Sequence, residues 1–208
     1  VLVTATLLNA GIAPVSATIL TEQTQSRRGA AHLEDVITLA PNVTASSGAS
    51  RGRFFQIRGI GERSQFVEPV NPSVGILLDG IDLSGAGGAL TLFDVRQVEV
   101  LRGPQGTLMG ANALGGLIAV QSNGTDSDAR DLSIGIENEG GYRLGARWGG
   151  NLNDSMNGRI SVQQYESDGY VDNDYLNRSD TNSREELTAR GTLTWARDTH
   201  TLEAAAYY

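Results

Sequence analysis

Neither cysteine nor lysine occurs anywhere in the 208 residues. The first absence excludes disulfides, thiolate metal sites and cysteine nucleophiles. The second excludes Schiff-base chemistry and the phosphate-gripping lysine of a P-loop, so kinase and ATPase readings fall. Histidine is almost missing too. Its two copies, His32 and His200, lie far apart, and His32, beside an amphipathic segment, reads as a surface residue rather than a ligand. Long apolar runs are also lacking: Val74–Leu78 is far short of the roughly 20 residues that cross a bilayer as a helix, so any crossing is made by strands. The net charge of -8 opposes a partner held by counterion release, and no nucleic acid is expected. Val1 to Thr6 carry no charged n-region and no cleavage motif. Only 5 prolines and 6% aromatics stand against 26 glycines. That balance suits tight turns and close backbone approaches better than long helices.

Up to about Asn123 the periodicity is mixed, which predicts an α+β unit. Val15, Ala17 and Ile19 alternate with polar residues as in a half-buried strand, and the polar stretch 21–29 follows. Leu33, Val36, Ile37 and Ala40 recur at helical spacing, with Pro41 as a stop signal. A Ser- and Gly-rich stretch, 44–52, then leads into a strand at Phe54-Phe55-Gln56-Ile57-Arg58-Gly59. Val74–Leu78, Asp79-Gly80 and Ile81-Asp82-Leu83 read as a hairpin, because Asp-Gly supplies the positive φ angles of a tight turn. Val98 to Leu101 and Leu117 to Gln121 give two more strands around a glycine-rich link.

Beyond Asp126-Ser127-Asp128 the alternation becomes long and regular. Tyr142, Leu144, Ala146, Trp148 and Leu152 share one face, and Arg143, Gly145, Arg147 and Asn151 the other. Leu187 to Trp195 repeats the pattern. Shorter runs start at Leu132, Ile160 and Leu202, so five strands are predicted. Tight turns at 153–158 and 198–200 contrast with the long polar loop 168–184, while the short connection 138–141 lies on the long-loop side, so the contrast rests mostly on one loop. About ten residues per strand, two-faced, with short turns at one end and a long loop at the other, fit a membrane β-barrel; an antiparallel sheet of a soluble protein produces the same alternation.

One long motif is more specific than any periodicity. It runs from Phe93-Asp94-Val95 through Glu99-Val100-Leu101-Arg102-Gly103-Pro104-Gln105-Gly106 to Leu114-Gly115-Gly116 and closely resembles the plug signature of TonB-dependent outer-membrane receptors. Val3-Thr4-Ala5, Pro14-Val15-Ser16, Leu39-Ala40-Pro41-Asn42-Val43, Ile57-Arg58-Gly59-Ile60-Gly61 and Pro72-Ser73-Val74-Gly75 support it in order. The resemblance implies a plug domain over residues 1–124 and about five strands of an incomplete transmembrane barrel over 125–208. Family barrels have about 22 strands around a plugged lumen, so these residues are expected to belong to a longer chain. The energy-coupling box is expected before Val3-Thr4-Ala5.

The implied activity is uptake rather than catalysis, at the bacterial outer membrane. The implied partners are TonB, outer-membrane lipid and a small scarce nutrient, a ferric siderophore foremost, with cobalamin and carbohydrate as alternatives. Neither a cofactor nor a metal is implied. Arg58, Glu99 and Arg102 match motif positions expected to pair with the barrel wall. Ligand contacts are expected from the variable segments 46–54, 61–71 and 84–89, with Gln65, Phe66 and Glu68 as the chosen residues. A signalling or binding module and a secreted β enzyme are the competing readings. The enzyme lacks a nucleophile, base and orienting group at recognisable spacing. Gly103 to Gly116 lacks the lysine of a phosphate cradle and reads as chain reversal, while Asp172, Asp174 and Asp180 read as solvated loop residues rather than calcium ligands.

Overall fold

In the computed structural model, which describes residues 16–47, 52–63, 72–85, 90–106, 112–138, 140–169, 171–179 and 181–208, the chain divides between Ser122 and Asn123 into two units. The first is built on a mixed sheet of order β1-β6-β7-β4-β5. Its strands are β1 (Ser16–Thr21), β4 (Val74–Leu78), β5 (Ile81–Asp82), β6 (Val95–Arg102) and β7 (Gly116–Ser122). All neighbours are antiparallel except β4 and β7, which run parallel from the pair Val74 and Gly116. The Asp79-Gly80 turn joins β4 to β5 with φ of 49° and 86°, as the hairpin motif requires.

Alternation along β6 gives the sheet two unlike faces. Val98 and Val100, with Ile118, Val120, Ile76 and Leu78, form one continuous apolar cluster that includes Leu33, Val36 and Ile37 of helix α2 (Leu33–Ile37). Burying three such side chains from a five-residue helix explains its persistence, since isolated helices of this length are unstable in water. The opposite face carries a smaller cluster, Leu77, Leu101, Ala113, Leu117 and Ala119.

Two elements escape the apolar pattern. The polar stretch after β1 forms helix α1 (Glu22–Arg28), held by its ends rather than by a core face. Thr21 Oγ1 accepts from Thr24 N at 3.4 Å, Gly29 closes the helix at φ 66°, and Glu22 and Arg27-Arg28 suit its dipole. The Ser-rich segment forms strand β2 (Val43–Ser47), paired antiparallel with β3 (Gly52–Ile57). His32 is also not a surface residue: it is 2% exposed and starts α2. Its backbone N–H, like that of Ala31, donates to the Asp35 carboxylate at 2.9 Å.

The second unit is a five-stranded antiparallel meander: β8 (Ala129–Ile136), β9 (Tyr142–Asn153), β10 (Met156–Ser167), β11 (Arg184–Arg197) and β12 (His200–Tyr207). All five expected strands are present. Register places Leu132, Ala146, Val162 and Ala189 in one row and Ile134, Leu144, Gln164 and Leu187 in the next. The row between these two carries Ser133, Gly145, Gln163 and Thr188, and the row on the other side of Leu132 carries Asp131, Arg147, Ser161 and Arg190. Burial is inverted relative to a water-soluble sheet: Leu132 and Ile136 are 84% and 88% exposed, while Ser161 and Arg159 are 3% and 7% exposed. Arg159 donates to Gly124 O and to Ser127 O and Oγ at 3.4, 3.2 and 3.0 Å, so its burial is matched by hydrogen bonds. No described helix is long and apolar enough to cross a membrane, which leaves crossing by strands open.

Gly116 tests how tightly the first sheet is built. A Cβ there would stand 2.5 Å from Leu101 O and 2.6 Å from Ile57 Cδ1. Gly116→Ala is expected to destabilise the first unit by about 2 kcal/mol, in the range of overpacking costs. Gly191→Ala, with nothing within 4 Å of its added carbon, should change stability by less than about 0.5 kcal/mol. Urea unfolding midpoints of the two variants measure the contrast.

Candidate functional site

The chain brings several connections to one end of the first-unit sheet, where Ser16 pairs with Arg102, Arg102 with Gly116 and Gly116 with Val74. β4 starts at this end, β6 finishes there, and Leu83 N donates to Ile76 O at 2.9 Å as the chain returns from the hairpin. The described ends of segments 61–71 and 103–115 and the start of 84–89 therefore converge. In the β2–β3 pair, Val43 meets Ile57 at the end next to Arg58 and Ser47 meets Gly52 at the other.

Arg102 is the principal charge at this end and is 8% exposed. Its Nε donates to Pro41 O at 2.9 Å, one terminal nitrogen donates to Ser16 Oγ at 3.0 Å, and the other donates to Thr18 Oγ1. These acceptors are all neutral. Burial, and then the positive charge of Arg58, pushes the Arg102 guanidinium below the ordinary arginine value; it still stays protonated at any physiological pH. Arg58 reaches this place through an uncommon backbone conformation, φ 55°, fixed by its N–H to Asn42 O at 2.8 Å. Its guanidinium lies 4.0 Å from the place a Gly103 side chain would occupy. Two like charges thus share one corner with neutral acceptors around the more buried of them.

Glu99 sits elsewhere. Three residues before Arg102, it projects from the opposite face of β6 and is 0% exposed. Its carboxylate accepts from Gln97 Nε2 at 2.5 Å and from Gln121 Nε2 at 3.1 Å, and Gln97 also donates to Gln121 Oε1 at 3.2 Å. The structure brings Arg58 and Arg102 together and leaves Glu99 in its own amide network. Its sequence trace is the polar pair Gln97 and Glu99 at strand spacing inside an apolar run.

Gln65, Phe66 and Glu68 lie outside the described residues, but both flanks of their segment are fixed. Ser73 N and Oγ donate to the Glu62 carboxylate at 3.0 and 2.8 Å, and Gln56 Nε2 donates to Glu62 O. A second clip holds the other convergent segments. Asp82 accepts from Ser84 N at 2.9 Å and from Asn112 Nδ2 at 2.8 Å, and Ser84 Oγ accepts from Ile76 N at 3.0 Å. Neither clip has a regular spacing by which sequence could reveal it.

Residues 12–117 match the family described as the TonB-dependent Receptor Plug Domain. The chain belongs to this family. Among curated relatives, a vitamin B12 transporter of Vibrio vulnificus is 28% identical over 168 residues, covering 76% of this chain and 26% of the transporter. The crystal structure of the ferric yersiniabactin uptake receptor from Yersinia pestis superposes with a TM-score of 0.81 at 26% identity, over 93% of this chain and 31% of that one. A pyoverdine outer-membrane receptor of Pseudomonas aeruginosa shares the fold at a TM-score of 0.73 and 20% identity, over 94% of this chain and 27% of the receptor. The chain spans about a quarter of the length of the curated relatives it matches.

In the plug, the Asp82 clip has a pH signature. Burial raises the carboxyl pKa, but hydrogen bonds from the Ser84 side chain, the Ser84 backbone and Asn112 outweigh it and leave Asp82 below its ordinary value. A depressed folded pKa stabilises above the unfolded value and loses that contribution as pH falls through the folded one. Asp82→Asn should therefore lower the unfolding midpoint at neutral pH, and the gap to the unmodified plug should close as the solution is acidified below the usual carboxylate range. A gap that persists unchanged into strong acid would sink this account.

Proposed function

We propose that this chain is the plug and opening barrel strands of a bacterial outer-membrane receptor that binds a scarce nutrient and imports it with energy from TonB. The inverted second-unit sheet, joined directly to a TonB-dependent receptor plug, carries the reading. Exposed leucine and isoleucine on one face and buried arginine and serine on the other suit lipid outside and a polar lumen inside. Membership of the plug family supports TonB as the energy partner.

An iron complex, a ferric siderophore foremost, is the favoured cargo, supported by the likeness to the ferric yersiniabactin uptake receptor. Cobalamin is the second reading, supported by the vitamin B12 transporter among the relatives. Gln65, Phe66 and Glu68, on the segment clipped at Glu62 and Ser73, supply an amide, an aromatic face and a carboxylate to the cargo. Arg58 and Arg102 offer planar donors that match carboxylates on the barrel wall. Such pairs hold the plug at rest and part when TonB pulls. Glu99 makes its barrel contact from the other face of β6, separately from the arginines.

Expression of the uninterrupted reading frame should give a heat-modifiable outer-membrane product whose deletion slows growth on a ferric siderophore under iron limitation. Joint replacement of Gln65, Phe66 and Glu68 by alanine should cut cargo binding about tenfold or more, the scale of losing interface anchors, with heat-modifiability intact. Slower cobalamin-dependent growth alone would transfer the assignment to the second reading, and no effect on either nutrient would remove both. Arg102→Ala should also loosen the plug, read as increased entry of vancomycin into cells; unchanged entry would remove the pairing role.

A further inference from the structure

On the outward face of the second unit, charge stands only towards the two ends of the strands, arginine at one and glutamate at the other, among the described residues. Between their ends the outward positions are apolar or glycine except Gln164, among the described residues. At the short-turn end stand Arg130, one residue inside β8, Arg197, the last of β11, and His200, the first of β12. At the long-loop end stand Glu166 and Glu185, opposite each other across β10 and β11. Local structure accounts for part of the acidic end: Tyr142 donates its hydroxyl proton to Glu166 at 2.5 Å. The basic end has no such local use. Arg130 and Arg197 are exposed, and neither makes an ion pair among the described residues.

Two tryptophans mark the same end. Trp148 pairs in register with Arg130, and Trp195 lies two residues before Arg197 on the same face. The basic boundary also follows the turns. Met156 of the first short turn pairs with Trp195, so the second turn reaches further along the strand direction, and Arg197 reaches further with it, as tilted barrel strands require. Tryptophan beside arginine at the edge of an apolar band is the chemistry of a bilayer interface, where the ring sits at headgroup depth and the guanidinium meets phosphate.

We propose that Arg130 and Arg197, flanked by Trp148 and Trp195, form a contact for anionic phospholipid headgroups of the periplasmic leaflet. The proposal rests on the barrel reading above, which places short turns on the periplasmic side. A uniform apolar band needs lipid tails only. Cations confined to one rim add a preference for the headgroup, of about fivefold per arginine at an anionic surface.

The test uses the full-length receptor carrying this segment, with Leu132→Cys as the sole cysteine, labelled with bimane and reconstituted in vesicles of equal parts phosphatidylglycerol and phosphatidylcholine. Either one lipid or the other carries brominated tails, and the ratio of quenching reports the lipid composition beside Arg130. The expected result is stronger quenching by brominated phosphatidylglycerol, a loss of about fivefold in that preference with Arg130→Gln, and its return with Arg130→Lys. Equal quenching by the two lipids, or a preference indifferent to Arg130→Gln, overturns the headgroup contact and leaves the barrel reading standing. A heat-modifiable product whose label neither lipid quenches overturns the lipid-facing reading and the headgroup contact together.

Discussion

Backbone pairing along β6 is the constraint on which the plug depends. β1 reaches the rest of the sheet only through β6, and β7, β4 and β5 are attached on its other side. Eight residues thus serve two edges, two apolar clusters and two buried charged groups. Alternation keeps these duties apart: Val98 and Val100 complete the core over α2, while Gln97 and Glu99 are committed to the amide network behind it. Sliding the register by one residue would exchange the two faces, placing the Glu99 carboxylate among leucine and isoleucine without a donor. The sequence of β6 therefore fixes pairing as much as composition.

Much of this architecture could be read before any coordinates, because it rests on periodicity. The five strands of the second unit, the Asp79-Gly80 hairpin and the strands on either side of the glycine-rich link all follow from spacing. Elements stabilised by their ends or by a partner did not show. Helix α1 has no apolar stripe and depends on Thr21 and Gly29, and β2 is a serine-rich segment that becomes a strand because β3 pairs with it. His32 looked like a surface residue since its burial depends on its place at the start of α2 and on its bridge to Thr91.

The candidate site was legible as a list and not as an arrangement. Arg58 and Arg102 were each marked by a motif, yet their closeness depends on the left-handed backbone at Arg58 and on a chain reversal through Gly103. Glu99 carried the same kind of mark and lies on the other face. A linear motif records which residues occur near one another along the chain, whereas a cluster depends on which face each one takes.

The Glu62–Ser73 clip has a consequence for descent. It fastens the two ends of one segment to the scaffold with hydrogen bonds that belong to the scaffold alone. Closing a longer loop between fixed ends costs only about 0.6 kcal/mol for each doubling of its length. The stretch between the clip residues can thus be lengthened, shortened or exchanged among lineages without disturbing β3 or β4. A segment anchored in this way is a replaceable cassette, open to exchange on an unchanged plug frame.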